Sequence, residues 1–535
     1  IGLNASGTGG LVVAGTTATM GNVASGIWIT TGSDYNRIGG TTVAERNIIS
    51  NNPQRGIGLN SNSNYNVIQG NYIGTDISGT LDLGSNSSGI TIASSAYNTI
   101  GGTTATARNI ISGNNGDGIN ITNAVSTGNT IRNNYIGTDV SGTIAIGNNG
   151  DGIEAQSSSN TIANNVISGN GSVGVYLNST AADNNILIGN IIGPAATGLQ
   201  GLIRTGTTST IGNIGIGISL QTGADNNIIG GSDIASRNII SNNNAQGVYL
   251  NGGIGNTVQG NYIGLNISGT AALPNMADGV AVGSSSLVSI RNNVISGNSE
   301  YGIEFASGIS QNNTIAGNII GLNASGTSAI ANGTGANTED HGIAIRGNAA
   351  IQGVSTTTIG GSTSSDRNII SGNIGKGILI TGSVSVNNTI QGNYIGTDIS
   401  GTIDLGNGSD GIELQSAYSN ILNNVIAGNN ATGIYINSAT ATGNTIQNNS
   451  IGVSAGGSSI IGNTTFGIQI NAASSTVIGG ATTGNVIAGN GSDGISIINN
   501  SSIANTISGN AIFDNGGEGI DLANNGITLN DNLDV

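Results

Sequence analysis

The chain has no cysteine, three prolines and a single histidine among 535 residues, and only 7% of its residues are charged. Without cysteine there is no disulfide framework, no thiolate metal site and no thiol nucleophile. Lysine and arginine total 11 against 27 acidic residues, a net charge of −16 with no basic stripe, which excludes the electrostatic footprint of a nucleic-acid-binding protein. No apolar run is long enough to cross a bilayer, so membrane insertion is not expected, and no signal-peptide pattern is present. Aromatic residues make up 3%, few for a carbohydrate cleft. Helical periodicity is absent throughout.

What fills the sequence is repetition. A Gly followed by Ile or Val opens a short strand pattern seventeen times, at Gly26, Gly56, Gly89, Gly118, Gly152, Gly174, Gly217, Gly247, Gly279, Gly302, Gly342, Gly377, Gly411, Gly433, Gly467, Gly494 and Gly519. The mean spacing is about 31 residues, in the range of solenoid repeats. The shortest unit, Gly152 to Val173, holds three runs: Gly152 to Ala155, Asn160 to Ala163 and Asn165 to Ser168. Each is too short for a helix, is rich in β-branched residues and is bounded by Ser, Asn and Gly, so three strands and three turns per coil are predicted. Longer units keep the strands and enlarge a turn, as with Thr103 to Arg108 before one Asn-led strand. Stacked coils would bury alternate residues such as Ile119 and Ile121 in one column, with Asn120 facing out, and would pair every backbone group with the coils on either side.

Asparagine keeps the same beat. It begins the second strand at Asn66, Asn98, Asn129, Asn160, Asn256, Asn313, Asn388, Asn420, Asn444 and Asn505. It begins the third at Asn47, Asn109, Asn165, Asn238, Asn293, Asn368, Asn424 and Asn485. Asparagine suits left-handed turn positions and can stack into amide ladders, so these residues are read as structural. Arg46, Arg108, Arg237 and Arg367, and Tyr72, Tyr135, Tyr262 and Tyr394, also recur with the repeat, as do Asp76, Asp139 and Asp398 of the motif YIGTDxSGT. The expected fold is one all-β solenoid domain over residues 1–535, about seventeen coils long. The octapeptide Ile1 to Thr8 recurs inside a coil as Ile320 to Thr327, so the sequence is expected to be a section of a longer array, with residues 511–535 forming its C-terminal end.

Runs such as Asn98-Thr99-Ile100-Gly101-Gly102, Arg108-Asn109-Ile110-Ile111-Ser112-Gly113-Asn114 and Gly392 to Asp398 resemble the right-handed parallel β-helix repeats of very large bacterial surface and secreted proteins. The resemblance implies right-handed coils, an extracellular or cell-surface location and an adhesive or structural role. Polysaccharide lyases and hydrolases share the fold, so fold alone does not assign function.

Few residues stand outside the beat. His341 lies in Glu339-Asp340-His341-Gly342-Ile343-Ala344-Ile345-Arg346. Acid–base chemistry on a glycan would draw on His341, Asp340 and Arg346; the alternative is an exposed turn acid and histidine at a strand start. Asp117 and Asp151 precede Gly118 and Gly152 in successive coils, Asp493 and Glu518 do so near the far end, and Asp521 follows with Asp531 and Asp534. Carboxylates about 5 Å apart on neighbouring coils need screening, and hard oxygen ligands suit Ca²⁺; no other cofactor is expected. The expected protein is therefore a non-catalytic, acidic, adhesive rod that associates end to end or laterally, or with surface glycans. A secreted lyase or hydrolase of acidic glycans is the alternative, and acids gathered with Arg or His on neighbouring coils would favour it.

Overall fold

A computed structural model describes every residue except 13, 15–18, 205–206, 307, 336–339, 348–352 and 523–535. The chain forms two compact units, residues 1–268 with 273–277, and residues 269–272 with 278–535. Within each, coils of three short strands stack so that like strands pair in parallel and in register. Thus Ile119–Thr122 lies between Ile90–Ala93 and Ile153–Ala155, with Ile119 beside Ile90 on one side and Ile153 on the other. Three parallel sheets result, here called first, second and third by strand order within the coil. Among the described residues the first unit has eight strands in each sheet, and the second has nine, eight and eight.

The inward residues form the core. Ile119, Ile121, Ile131 and Ile136 of one coil are fully buried, as are their counterparts Ile153, Ala155, Ile162 and Ile167 in the next. The strand-opening glycine is required by close approach. A Cβ on Gly118 would stand 2.6 Å from Gly152 O, 2.6 Å from Ile136 Cγ2 and 3.0 Å from Asn148 Nδ2, so any side chain would collide with the adjacent coil, the third sheet and a buried amide at once.

The asparagines form ladders. Asn134 Oδ1 accepts both the backbone N–H (3.3 Å) and the Nδ2–H (2.9 Å) of Asn109. Asn134 Nδ2 in turn donates to Asn165 Oδ1 at 3.1 Å and to Ile100 O at 2.9 Å. Each buried amide is thus satisfied on both faces. A second ladder runs through Asn66, Asn98, Asn129 and Asn160 at the turn before the second strand. A third, which the strand-opening pattern does not reveal, follows the third strand through Asn114, Asn148, Asn170 and Asn213. Asn420 corrects the expected set. It stands in register with Thr389 and Thr445 inside a strand, and Ser419 occupies the turn, its N–H bonded to Asn444 Oδ1 at 2.8 Å.

The repeated arginines and tyrosines turn out to be partners. The guanidinium carbons of Arg46, Arg108, Arg237 and Arg367 lie 4.0, 3.8, 3.9 and 4.0 Å from the ring centres of Tyr72, Tyr135, Tyr262 and Tyr394. Each of these arginines caps a short 3-10 turn, as at Val43–Glu45 and Ala105–Ala107, the helical element that the sequence pattern does not show. Asp76 is likewise structural. Its carboxylate accepts from Ser78 Oγ and from the N–H groups of Thr80 and Leu81, both at 3.0 Å.

Candidate functional site

Subtracting the residues that the repeat explains leaves one face. Among the described strands only four acidic residues occur, Glu154, Glu304, Glu413 and Asp521, and all four stand at the same place, two residues after an opening glycine on the outer face of the first sheet. The strands of the second and third sheets contain none. The position immediately before the opening glycine forms a second column on this face, and in the second unit it reads Asp278, Tyr301, His341, Lys376, Asp410, Thr432, Phe466, Asp493 and Glu518.

Side chains in that second column share a fixed backbone contact. One carboxylate oxygen of each aspartate accepts the N–H of the corresponding residue one coil on: Asp117 from Asp151 and Asp493 from Glu518 at 2.9 Å, Asp151 from Val173 at 2.8 Å, Asp410 from Thr432 at 3.0 Å, and Asp278 from Tyr301 at 3.3 Å. His341 does the same through Nδ1, accepting the Lys376 N–H at 3.1 Å. A neutral His341 therefore carries its ring proton on Nε2. The structure corrects the reading of Asp340 and His341 as exposed turn residues, since both are buried. Asp340 turns back into its own loop and accepts from the N–H groups of Thr334 (3.1 Å) and Gly335 (2.6 Å).

Around His341 the coils gather unlike groups. Tyr301 meets the imidazole edge-on, ring centres 5.6 Å apart, and the guanidinium carbon of Arg346 lies 5.1 Å from the Tyr301 ring centre. Arg346 also pairs with Glu304. One coil beyond His341, Lys376 Nζ is 3.1 Å from Glu413 Oε2, and Gln415 donates to Glu413 Oε1 at 2.6 Å. Burial, with the charges of Glu304 and Glu300, pushes the Asp278 carboxyl up to about 7, against the partial relief of the Tyr301 N–H and Arg346. Burial also raises Asp410, opposed by the Thr432 N–H and Lys376. Asp278, Tyr301, Glu304, Lys376 and Glu413 are the members of this cluster that sequence reasoning missed. The signal was available, because aligning the chain on its seventeen glycines places all five in the two columns.

The expected cation ligands also come together. One oxygen each of Asp117, Asp151 and Glu154 lie within 4.8 Å of one another, as do those of Asp493, Glu518 and Asp521. Burial, more than the neighbouring carboxylates, raises Asp151. Asp531 and Asp534, together with Glu339, lie outside the described residues. No helix among those described is long and apolar enough to cross a membrane.

Residues 395–533 match the family described as the right handed beta helix region, and the chain is a right-handed parallel β-helix with three strands per coil. No curated protein matches it. Among solved structures it is similar to the A-module of a mannuronan C-5 epimerase of Azotobacter vinelandii (14% identity, covering 85% of this chain and 90% of that one, TM-score 0.31). It is similar also to an alginate lyase of Paenibacillus sp. (12%, 59% and 93%, 0.30) and to a surface adhesin of Streptococcus pneumoniae (11%, 82% and 86%, 0.29). Likeness at this level speaks to fold. The expectation that this protein is not an enzyme is corrected: the structures similar to it include enzymes named for mannuronan or alginate as well as an adhesin, and a shared fold leaves catalysis open.

Proposed function

We propose that the protein acts on an acidic polysaccharide, binding the chain along the outer face of the first sheet in its second unit and cleaving it at the coils of Asp278, Tyr301, Glu304 and His341. One observation carries this reading: three of the four in-strand acidic residues of the described strands, Glu304, Glu413 and Asp521, lie on that face, where Glu304 pairs with Arg346, Glu413 with Lys376, and Tyr301 touches both His341 and Arg346. Strands about 4.8 Å apart bring groups on adjacent coils within reach of one or two sugar rings.

The roles follow from environment. Asp278, pushed up to about 7, holds its proton near neutrality and serves as the acid that protonates a leaving glycosidic oxygen. Glu304, ion-paired to Arg346, is the carboxylate that works opposite it as base or nucleophile. A carboxyl group that keeps its proton near neutrality beside a second carboxylate is what such chemistry needs. Lys376 and Arg346, only partly exposed at 20% and 32% of their side chains, supply positive charge for a sugar carboxylate. The work belongs outside the cell, where such polymers are found.

The test is turnover of a panel of uronic-acid polysaccharides by the full chain, Asp278→Asn and Glu304→Gln. Removing a general acid costs about a hundredfold or more in rate, so both variants should fall at least that far while still binding the polymer. A product carrying a new carbon–carbon double bond would replace hydrolysis by elimination. Binding without turnover by the unaltered chain would leave an adhesive face and refute the catalytic assignment.

A further inference from the structure

The four in-strand acids sit in four versions of one arrangement, and the differences between them are informative. Glu304 is neutralised by Arg346 and Glu413 by Lys376. Glu154 is met by an amide: Asn120, its register partner one coil earlier, donates from Nδ2 to Asp117 Oδ2 at 2.6 Å and to Glu154 Oε2 at 3.0 Å. One nitrogen with two polar hydrogens thus sits between two carboxylates.

The fourth version matches the third position for position. Asp493-Gly494-Ile495-Ser496 stands where Asp117-Gly118-Ile119-Asn120 stands, and Glu518-Gly519-Ile520-Asp521 stands where Asp151-Gly152-Ile153-Glu154 stands. The register matches, Ser496 beside Asp521 as Asn120 is beside Glu154. The backbone anchor matches too, Asp493 Oδ1 accepting the Glu518 N–H at 2.9 Å as Asp117 Oδ1 accepts that of Asp151. The three acids stay acidic, with Asp and Glu exchanged at two positions, and the amide is replaced by a hydroxyl. Ser496 is fully buried, points to the same face as Asp521, and its hydroxyl has no hydrogen-bond partner. A buried, unsatisfied hydroxyl is costly and calls for an explanation. The Asn120 amide at this position bridges the carboxylates on either side; the shorter serine, on the same face, does not.

We propose that a hard divalent cation of the calcium class occupies the position in the second unit that the Asn120 amide nitrogen holds in the first. Asp493, Glu518 and Asp521 supply one oxygen each, from atoms already within 4.8 Å of one another, the Ser496 hydroxyl supplies a neutral oxygen, and water completes the six to eight ligands such an ion takes. Oxygen donors alone, without histidine or cysteine, disfavour zinc and copper. The arrangement around Asp117 is then the same site closed by a built-in amide.

The test is metal stoichiometry in the full chain, read by calorimetry with Ca²⁺ and by sensitised luminescence with Tb³⁺. The unaltered protein should take up an ion that Asp521→Asn loses or binds at least tenfold more weakly. Ser496→Asn, which restores the amide of the first unit, should abolish the same uptake without loss of folded protein by circular dichroism. Asn120→Ser should add a second ion. Absence of uptake by the unaltered protein, unchanged uptake in Asp521→Asn or Ser496→Asn, or no gain in Asn120→Ser would each overturn the proposal. None of these measurements depends on polysaccharide turnover, so the cation site and the catalytic reading stand or fall separately.

Discussion

His341 and the aspartates before the opening glycines show how one residue divides its two polar atoms between fold and chemistry. One atom of each accepts the backbone N–H of the next coil, at 3.1 Å for His341 Nδ1 and 3.3 Å for Asp278 Oδ1, and that bond fixes the ring or carboxylate so the other atom has a defined place. Asp278 also carries a cost that pH exposes. Its folded-state value of about 7 lies above its ordinary 3.8, so folding favours the protonated form. The resulting contribution is fully present below about pH 4 and is lost as pH rises through 7. Asp278→Asn removes that dependence: the second unit should be more stable than the unaltered protein at pH 8, by up to about 4 kcal/mol, and should lose the advantage by pH 4, as read from denaturant unfolding at the two pH values. An equal stability difference at both would contradict the assignment. Activity, in turn, should decline above about pH 7 in the unaltered protein as the acid loses its proton.

At the scale of elements, the ladders and the Arg–Tyr pairs explain what sequence reading reached and where it stopped. Strands, turns and the two strand-opening asparagine series were legible because a period of about 31 residues writes each position many times over. Asn420 was misplaced because a serine had taken its turn and the asparagine had moved one residue into the strand, a slip that reverses the face presented. The Arg–Tyr contact was invisible because its partners belong to different coils, Arg108 stacking on Tyr135 of the next. The cluster around Asp278 was missed for the same reason: only alignment coil on coil brings it to one face. Asn165 gives the ladder a test. Its Oδ1 accepts two bonds from Asn134, and its Nδ2 donates to Ile131 O and Asn190 Oδ1. Asn165→Ala leaves these buried partners unmatched at about 1–3 kcal/mol for each group so exposed, and hydrogen exchange of the Asn134 amide should quicken accordingly. Arg108→Lys should cost less, about 1 kcal/mol or below, because the ammonium keeps the charge and loses the planar stacking.

At the scale of the whole molecule, the repeat makes stability local while the variable face makes function local, and the two can be separated by experiment. Each coil pairs chiefly with its two neighbours, so stability in a solenoid is close to a sum of coil and interface terms, without one indivisible core. Ile421, fully buried in the strand Asn420–Leu422, packs between the coils of Ile390 and Ile446. Ile421→Ala should cost about 2–5 kcal/mol, felt first by those three coils. Hydrogen exchange followed by mass spectrometry should then show faster opening across residues 389–451 while the coils of Val280–Val282 and Ile303–Phe305, in the same unit, keep their protection. Turnover, if it belongs to the coils of Asp278 and His341, should survive the substitution at temperatures where residues 389–451 have already begun to open. Uniform loss of protection from 278 to 522 would mean that the second unit opens as one block, and the columns of its outer face would then have no mechanical independence from one another.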